Sequence, residues 1–201
     1  MQEGARPANA KRGVDQTRIA RAVREILIAL GEDLEREGLV ETPERVAEAY
    51  AQLFSGLFED PTLHLEGGFI EGARDLILVR DLPVASMCEH HLLPFTGKAH
   101  VGYVPSNRVV GFSELVRVVE DYARRPQLQE RLTAQVADAV YEKLSALGTI
   151  VVVEAEHTCV SMRGAEVSGS VAVTSAARGV FEEDARRRAE VLALISRGNT
   201  A

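Results

Sequence analysis

A short stretch near the middle of the chain carries a thiol, a carboxylate and two imidazoles in four consecutive positions. Cys88 and His91 have the Cys-x-x-His spacing, with which one turn of backbone can offer a sulfur and a nitrogen to the same metal ion. The other cysteine, Cys159, follows His157 with one residue between them in a β-branched run, where alternate side chains share a face. Cys88, His91 and Cys159 are therefore candidate ligands of a zinc ion.

Two thiolates and one imidazole would leave tetrahedral zinc with one open position, the arrangement that activates water. The competing interpretation is a pair of buried cysteines beside a surface histidine, and the spacing alone leaves both open. His90 and His157 adjoin the candidate ligands, and imidazoles can move protons near neutral pH. His64 and His100 have no such neighbours in sequence and are interpreted as surface or core residues.

Other side chains are suited to a nucleotide. Gln129 and Glu130 lie in a predicted helix, and a carboxylate that accepts two parallel N–H bonds matches the amide and amino edge of guanine. The alternative is a solvated helix face. Arg45, Arg117 and Arg163 have planar guanidinium groups that can bind phosphate, although any one of them taken alone is interpreted as a surface residue.

Composition limits the classes of protein to consider. The chain has 201 residues, of which 46% are hydrophobic, which suits one domain or a domain with an appended helical segment. A net charge of -7 argues against general nucleic-acid binding but permits an anionic small substrate in a locally basic cleft. Two cysteines favour reduced thiols over a disulfide scaffold. With no apolar run long enough for a membrane helix and no signal-peptide core, the expected location is the cytoplasm.

The hydrophobic pattern predicts an α+β protein with an antiparallel sheet. Residues 1–15 lack apolar periodicity and are predicted to be a mobile tail. Residues 16–72 are predicted to form a helical segment and its linker, with a first helix that begins at Asp15 and stops at about Gly38. A second helix, capped by Thr42, would end near Gly56.

Residues 73–201 are predicted to form the main domain, which contains the antiparallel sheet. Its expected strands are residues 76–87, 98–104, 149–156 and 169–174. Helices are expected to begin at Ser113 and Pro126, and a closing helix should cover residues 182–195. The metal motif would then lie at the connection between the first two strands.

Several motifs resemble GTP cyclohydrolase I, and they occur in the order found in that family. They are Thr-Pro-Glu-Arg-Val-Ala at 42–47, Ser-Met-Cys-Glu-His-His-Leu-Leu-Pro at 86–94, Arg-Pro-Gln-Leu-Gln-Glu-Arg-Leu-Thr at 125–133, Glu-x-His-x-Cys-x-x-Met-Arg-Gly from 156, and Thr-Ser-Ala at 174–176 with Gly-Val-Phe at 179–181. The likeness covers about residues 16–196. It implies a tunnelling fold, in which four-stranded antiparallel sheets with paired helices assemble into rings, and two five-membered rings stack as a decamer with active sites between subunits.

The resemblance also implies an activity and a role for each matching residue. The family converts GTP and water into 7,8-dihydroneopterin triphosphate and formate, the entry step to folates and, in some organisms, biopterins. The implied roles are zinc ligation by Cys88, His91 and Cys159, catalysis by His90 and His157 with Ser113 near the ribose, guanine recognition by Gln129 and Glu130, and phosphate contacts by Arg45, Arg117 and Arg163, with Arg45 reaching a neighbour's site.

One position departs from the family. After Gly111-Phe112-Ser113 the family commonly has a lysine that helps to bind triphosphate, whereas this chain has Glu114. An anion beside phosphates should weaken binding, unless its side chain points outward or another basic residue compensates. Two alternatives to an active GTP enzyme therefore stay open: a paralogue with another nucleotide or product preference, and a non-catalytic ring-forming binding protein.

Overall fold

The β-branched run at residues 150–153 lies at the centre of an antiparallel sheet, and both of its faces are covered. Val151 and Val153 belong to a core cluster shared with two long helices, while Ile150 and Val152 belong to a second cluster shared with the C-terminal helix. The structure, a computed structural model, describes residues 13–163 and 169–197. The two-sided burial explains why this strand is apolar at successive positions rather than alternate ones.

The elements within the described residues occur in the following order. The helices are α1 (Gln16–Ala29), α2 (Thr42–Leu53), α3 (Phe112–Ala123), α4 (Gln129–Lys143), α5 (Thr158–Ser161), α6 (Val180–Glu183) and α7 (Ala185–Ser196). The strands are β1 (Phe69–Ile70), β2 (Ile77–Cys88), β3 (Pro94–Val104), β4 (Arg108–Val109), β5 (Pro126–Gln127), β6 (Gly148–His157) and β7 (Ala172–Gly179). Two 3₁₀ helices cover Ser55–Phe58 and Pro61–Leu65.

The main sheet has the strand order β5-β2-β3-β6-β7. Its four long strands pair in antiparallel fashion, as predicted, and β3 and β6 stay in register from Phe95 opposite His157 to Val104 opposite Gly148. The short β5 pairs parallel to the end of β2 and adds a fifth strand that the resemblance did not imply. The α+β class with an antiparallel sheet is confirmed.

The first helix is shorter than predicted. α1 begins after Asp15, whose side chain accepts a hydrogen bond from the Arg18 amide, but it ends at Ala29 and not near Gly38. Gly31 has a φ of +83°, and the amides of Gly31 and Glu32 donate to the carbonyls of Ile28 and Leu27. This Schellman motif ends the helix at the earlier glycine.

The second helix and the segment after it also differ from the prediction. Glu41, not Thr42, is the N-cap of α2, and the Thr42 hydroxyl donates back to the Gly38 carbonyl. The predicted linker contains the second 3₁₀ helix, in which Leu65 is fully buried in the same cluster as the sheet and α3. The predicted limits at residues 16–72 and 73–201 stay a prediction, and most of the predicted tail at 1–15 lies outside the described residues.

Three helix starts were misplaced by the sequence pattern. Gly111 is the N-cap of α3, so Ser113 lies in its first turn. Pro126 opens β5 rather than a helix, and α4 begins at Gln129. The closing helix at 182–195 is divided into α6 and α7, because Asp184 breaks the helix and caps α7 by accepting from two amides.

The structure was also inspected for membrane-spanning helices. Among the described residues, no helix combines the length and the apolar character needed to cross a membrane.

A buried histidine lies beneath a bulge in β2. The pairing of β2 with β3 shifts register between Val79 and Leu82, where Asp81 has a φ of +59°. The Asp81 amide donates to Nδ1 of His100, whose side chain is 2% exposed and whose Nε2 has no hydrogen-bond partner within residues 13–163 and 169–197. Burial lowers the pKa of His100, although the nearby carboxylates of Asp81 and Glu154 oppose that shift.

His100 should therefore make the fold sensitive to acid. Because the folded-state pKa lies below the unfolded value of about 6.5, the unfolded chain binds the proton first as the pH falls. The free energy of unfolding should fall by up to about 1.4 kcal/mol per pH unit below about 6.5, which is about 3 to 6 °C in Tm. His100→Gln keeps an acceptor for the Asp81 amide but does not titrate.

Thermal melts at pH 7.5 and 5.5, with equal zinc in both samples, test this expectation. The loss of Tm should be smaller in His100→Gln than in the unsubstituted protein, while effects of the other histidines are common to both. Equal losses in the two proteins would contradict the assignment.

Candidate metal centre

The turn between β2 and β3 presents Cys88 and His91 side by side. Cys88 is the last residue of β2 and is buried; its amide donates to the Leu93 carbonyl, while its carbonyl accepts from the Leu92 amide. Leu92 has a φ of +52°, which reverses the chain in a tight turn. His91 is exposed, and its Nδ1 lies 3.9 Å from the Cys88 sulfur. The predicted position of the motif, between two strands, is confirmed.

Cys159 reaches the same place from the end of β6. The strand ends at His157, opposite Phe95 of β3, and Cys159 lies in the single turn of α5. The Thr158 hydroxyl donates to the Pro94 carbonyl at 2.6 Å and ties this turn to the start of β3. The expectation that His157 and Cys159 share one strand face is therefore wrong, because the helical turn, not strand alternation, directs Cys159 toward Cys88.

The three donors fit a tetrahedral zinc ion. Their ligand atoms all lie within 4.8 Å of one another. Zinc–sulfur and zinc–nitrogen bonds of about 2.3 and 2.1 Å imply separations of about 3.5 to 3.8 Å between ligand atoms, so small side-chain rotations suffice. Burial raises the pKa of the Cys159 thiol, Cys88 raises it further, and Arg163 opposes both. A divalent cation would remove the repulsion between the two thiolates.

The two other histidines of the motifs lie beside this centre. His90 is exposed, and its ring meets that of His91 edge to face at 6.1 Å. The His157 ring stacks on Phe95 with centroids 4.6 Å apart and planes 9° apart, and its Nε2 lies 2.8 Å from Oε1 of Gln129. Burial lowers the pKa of His157, and Glu130 opposes that shift. His90 thus contacts the candidate ligand His91, while His157 ends β6 two residues before Cys159.

Gln129 and Glu130 lie at the start of α4 but face different surroundings. Gln129 is 2% exposed, and its amide nitrogen donates within the protein to the carbonyls of Val153 and Ala172. Glu130 is exposed, so its carboxylate is available to a ligand. Recognition of guanine by either residue stays a prediction, and the exposure of Glu130 suits it better than the burial of Gln129.

The side chain of Glu114 lies beside two other predicted site residues, Arg117 and Ser113. It lies 3.3 Å from the Arg117 guanidinium and 3.7 Å from Nδ1 of His64, whose Nε2 is 2.8 Å from Asp121. Ser113, exposed in the same turn of α3, lies 3.5 Å from the Glu114 carboxylate. Arg117, which is predicted to bind phosphate, is therefore paired with the Glu114 carboxylate of its own helix.

The two remaining arginines lie apart from Arg117. Arg163 is exposed at the end of a described range, close enough to Cys159 to affect the thiol's pKa. Arg45 is exposed on α2 and is ion-paired with Glu41. In the part of the chain that the structure describes, no hydrogen bond or ion pair joins Arg45 to another predicted site residue.

Sequence reasoning missed several residues that support the centre. Glu89 forms a bidentate salt bridge with Arg131, at 2.6 and 2.9 Å, which connects the turn between β2 and β3 to α4. Both residues lie within quoted motifs, but their sequence separation hides the pairing. Phe95, which stacks on His157, had only the signal of an apolar residue. The sequence analysis interpreted His64 as a surface or core residue, whereas it lies between the carboxylates of Asp121 and Glu114.

The fold and the site together define an α+β protein in which two thiols and one imidazole, at the end of an antiparallel sheet, could hold a metal ion. Residues 19–196 match the family described as GTP cyclohydrolase I. The chain belongs to that family.

Curated relatives agree with this assignment. A GTP cyclohydrolase 1 of Rhodopirellula baltica is 59% identical over 184 residues, covering 92% of this chain and 80% of the relative. GTP cyclohydrolase 1 of Corynebacterium glutamicum (strain ATCC 13032) is 56% identical, covering 92% and 96%, and that of Carboxydothermus hydrogenoformans is 56% identical, covering 90% and 95%. The solved apo structure of archaeosine synthase QueF-Like is a much weaker match, with a TM-score of 0.43 and 18% identity over 52% of this chain and 93% of that one.

Adjacent histidines provide a matched test of the metal centre. His91→Asn removes a donor that lies 3.9 Å from the Cys88 sulfur, whereas His90→Asn changes its neighbour. Elemental analysis of purified protein should find about one zinc per chain in the unsubstituted protein and in His90→Asn. His91→Asn should contain less zinc, because loss of a ligand should lower the zinc affinity tenfold or more. Equal zinc in both variants would exclude His91 as a ligand.

Proposed function

We propose that this protein is a zinc-dependent GTP cyclohydrolase I. It opens the imidazole ring of GTP by hydrolysis, releases formate and rearranges the remainder to 7,8-dihydroneopterin triphosphate, the first step of folate and tetrahydropterin biosynthesis. The observation that carries the proposal is the convergence of Cys88, His91 and Cys159 on one point, in a chain that belongs to this family. His90 and His157 lie beside that point.

Each group of residues has a part in the proposed reaction. Cys88, His91 and Cys159 hold the zinc ion, which supplies the Lewis acidity that makes water a nucleophile near neutral pH. His157 exchanges protons with the purine ring as it opens, and its stacking on Phe95 holds the imidazole plane. His90, exposed at the turn, and Ser113 serve the later rearrangement of the ribose.

The substrate is held at both ends in this proposal. The exposed carboxylate of Glu130 accepts two N–H bonds from the guanine edge, an interaction that adenine does not offer. Arg117 and Arg163 bind the phosphates, and Arg45 does so in a neighbouring subunit. Gln129 was predicted to share the recognition of guanine.

We also propose that the chain assembles into rings, two of which stack as a homodecamer. Apolar side chains that a subunit contact would cover support this assembly: Val173 on β7 is 62% exposed, and Ile26 and Ile28 on α1 are 57% and 54% exposed. β7 is the last strand of the sheet and offers an edge for pairing. A centre with two thiol ligands needs a reducing compartment, which supports action in the cytoplasm.

Turnover of GTP tests the proposed function directly. Purified protein loaded with zinc should convert GTP into formate and, after oxidation, a fluorescent pterin in equal amounts, because one ring opening yields both. ATP should give neither product. Cys159→Ser should lower kcat by at least about a hundredfold, because the metal is lost.

Failure of the zinc-loaded protein to yield formate or pterin from GTP would reject this function. The control for added metal is Cys159→Ser incubated with the same zinc, which separates the protein's activity from that of free zinc.

The pairing of Glu114 with Arg117 favours a second candidate, an enzyme of this family that prefers a guanine nucleotide with fewer phosphates. The carboxylate lies 3.3 Å from the guanidinium and is 27% exposed, so it would repel nearby phosphates with limited screening by water. GTP, with the largest charge, should be disfavoured most.

Substitutions on α3 test the effect of this charge. Glu114→Gln should lower the KM for GTP about tenfold, and Glu114→Lys should lower it further, with a smaller effect on GMP than on GTP. Glu120→Gln is a matched control, because Glu120, also on α3, pairs with an arginine, the C-cap residue Arg124. A GTP preference over GDP and GMP in the unsubstituted protein, unchanged by Glu114→Lys, would reject the second candidate.

A further inference from the structure

The side-chain amide of Gln129 is fixed by the sheet behind it. Its Nε2 lies 3.0 Å from the carbonyl oxygens of both Val153 and Ala172 and 3.1 Å from the Thr174 hydroxyl. Carbonyl oxygens only accept hydrogen bonds, so the amide nitrogen, not the amide oxygen, must face them. The oxygen of Gln129 therefore faces the opposite way, toward His157.

This orientation determines which nitrogen of His157 carries the proton. Oε1 of Gln129 lies 2.8 Å from Nε2 of His157 and has no hydrogen to donate. In neutral imidazole only one nitrogen carries hydrogen, so Nε2 must be the donor. Nδ1 then holds the lone pair, and it has no hydrogen-bond partner among the residues at 13–163 and 169–197.

A second layer of hydrogen bonds holds Gln129 itself. The Thr133 hydroxyl donates to the Gln129 carbonyl at 2.7 Å and lies 2.6 Å from the Thr174 hydroxyl. Because the Thr133 hydrogen is used in that bond, Thr174 donates to Thr133. The network joins the start of α4 to β6 and β7, and it engages both ends of the Gln129 amide and the hydroxyls of Thr133 and Thr174.

Direct reading of a base by Gln129 would break this network. Turning the amide toward a ligand would leave the carbonyls of Val153 and Ala172 without the hydrogen bonds it gives them, at a site where Gln129 is 2% exposed. Glu130, the next residue, is exposed, and its carboxylate has no hydrogen bond or ion pair with the described residues, 13–163 and 169–197.

We propose that Gln129 is a positioning residue that acts through His157, fixing its Nε2–H form so that Nδ1 is the nitrogen that exchanges protons with the substrate. This inference rests on the proposed function and deepens it. In the ring-opening step, Nδ1 takes a proton from the water whose oxygen bonds to the purine C8 carbon. It passes this proton to N7 as the C8=N7 double bond becomes a single bond, so the imidazole returns to its starting form. The remaining hydroxyl proton then moves to N9 as the C8–N9 bond breaks and the C8 carbonyl forms, so that the two protons of the water end on N7 and N9.

Kinetics of adjacent substitutions distinguish positioning from recognition. Gln129→Met should lower kcat about ten- to a hundredfold and leave the KM for GTP within about twofold. Glu130→Gln is the matched control and should mainly raise KM. A Gln129→Met effect confined to KM would overturn the inference.

A His157→Asn background tests whether Gln129 acts through the imidazole. In that background, Gln129→Met should leave the calorimetric Kd for GTP within about twofold, whereas Glu130→Gln should weaken binding about tenfold. A tenfold loss of affinity caused by Gln129→Met would show direct recognition and overturn the inference. Zinc content and circular dichroism check folding, and Gln129→Glu, which keeps an acceptor toward His157, is the second variant if Gln129→Met does not fold.

The protonated nitrogen can be observed without turnover or substitution of Gln129. Solid-state ¹⁵N spectra can be recorded on the purified protein labelled at histidine, and the His157 signals can be identified by their loss in His157→Asn. These signals should show hydrogen on Nε2. Hydrogen on Nδ1 would overturn the inference even if GTP is consumed. Absence of formate from the unsubstituted protein would instead reject the proposed function, which keeps the two failures distinct.

Discussion

The register between β3 and β6 is the constraint on which the rest of the site depends. Opposing Phe95 to His157 brings the end of β6 beside the turn that follows β2, and so places Cys159 near Cys88 and His91. A shift of one residue would turn each side chain of β6 to the other face. Apolar side chains buried on both faces of β6 prevent such a shift, so the two clusters of the core also fix the positions of the donor atoms.

The start of α4 connects this centre to the rest of the sheet. Arg131 binds Glu89 in the turn between β2 and β3, while Gln129, two residues earlier, binds His157 and the first residue of β7. Neighbouring positions on one helix therefore act on opposite sides of the site. The pairing of β5 with β2 makes α4 begin at Gln129 rather than at Pro126. The position of this helix start therefore affects the candidate site as well as the packing.

Local patterns in the sequence predicted the strands, the metal turn and the candidate ligands, because spacing and alternation are properties of short segments. Features that depend on distant partners were not predictable in this way. Cys159 lies on a helical turn anchored by Pro94, and Glu114 turns toward His64, which is 50 positions earlier in the chain. The early end of α1 was available in principle, since Gly31 is a typical helix stop, but Gly38 was an equally plausible one.

The unequal depth of the three candidate donors would determine how a metal ion exchanges between this site and the surroundings. Cys88 is buried, Cys159 is half-buried and His91 is exposed. An entering cation would meet the imidazole before the deeper sulfur, and a chelator in solution would reach the imidazole first. The lifetime of a bound ion would then depend on the outermost ligand, while its affinity would depend mostly on the two thiolates.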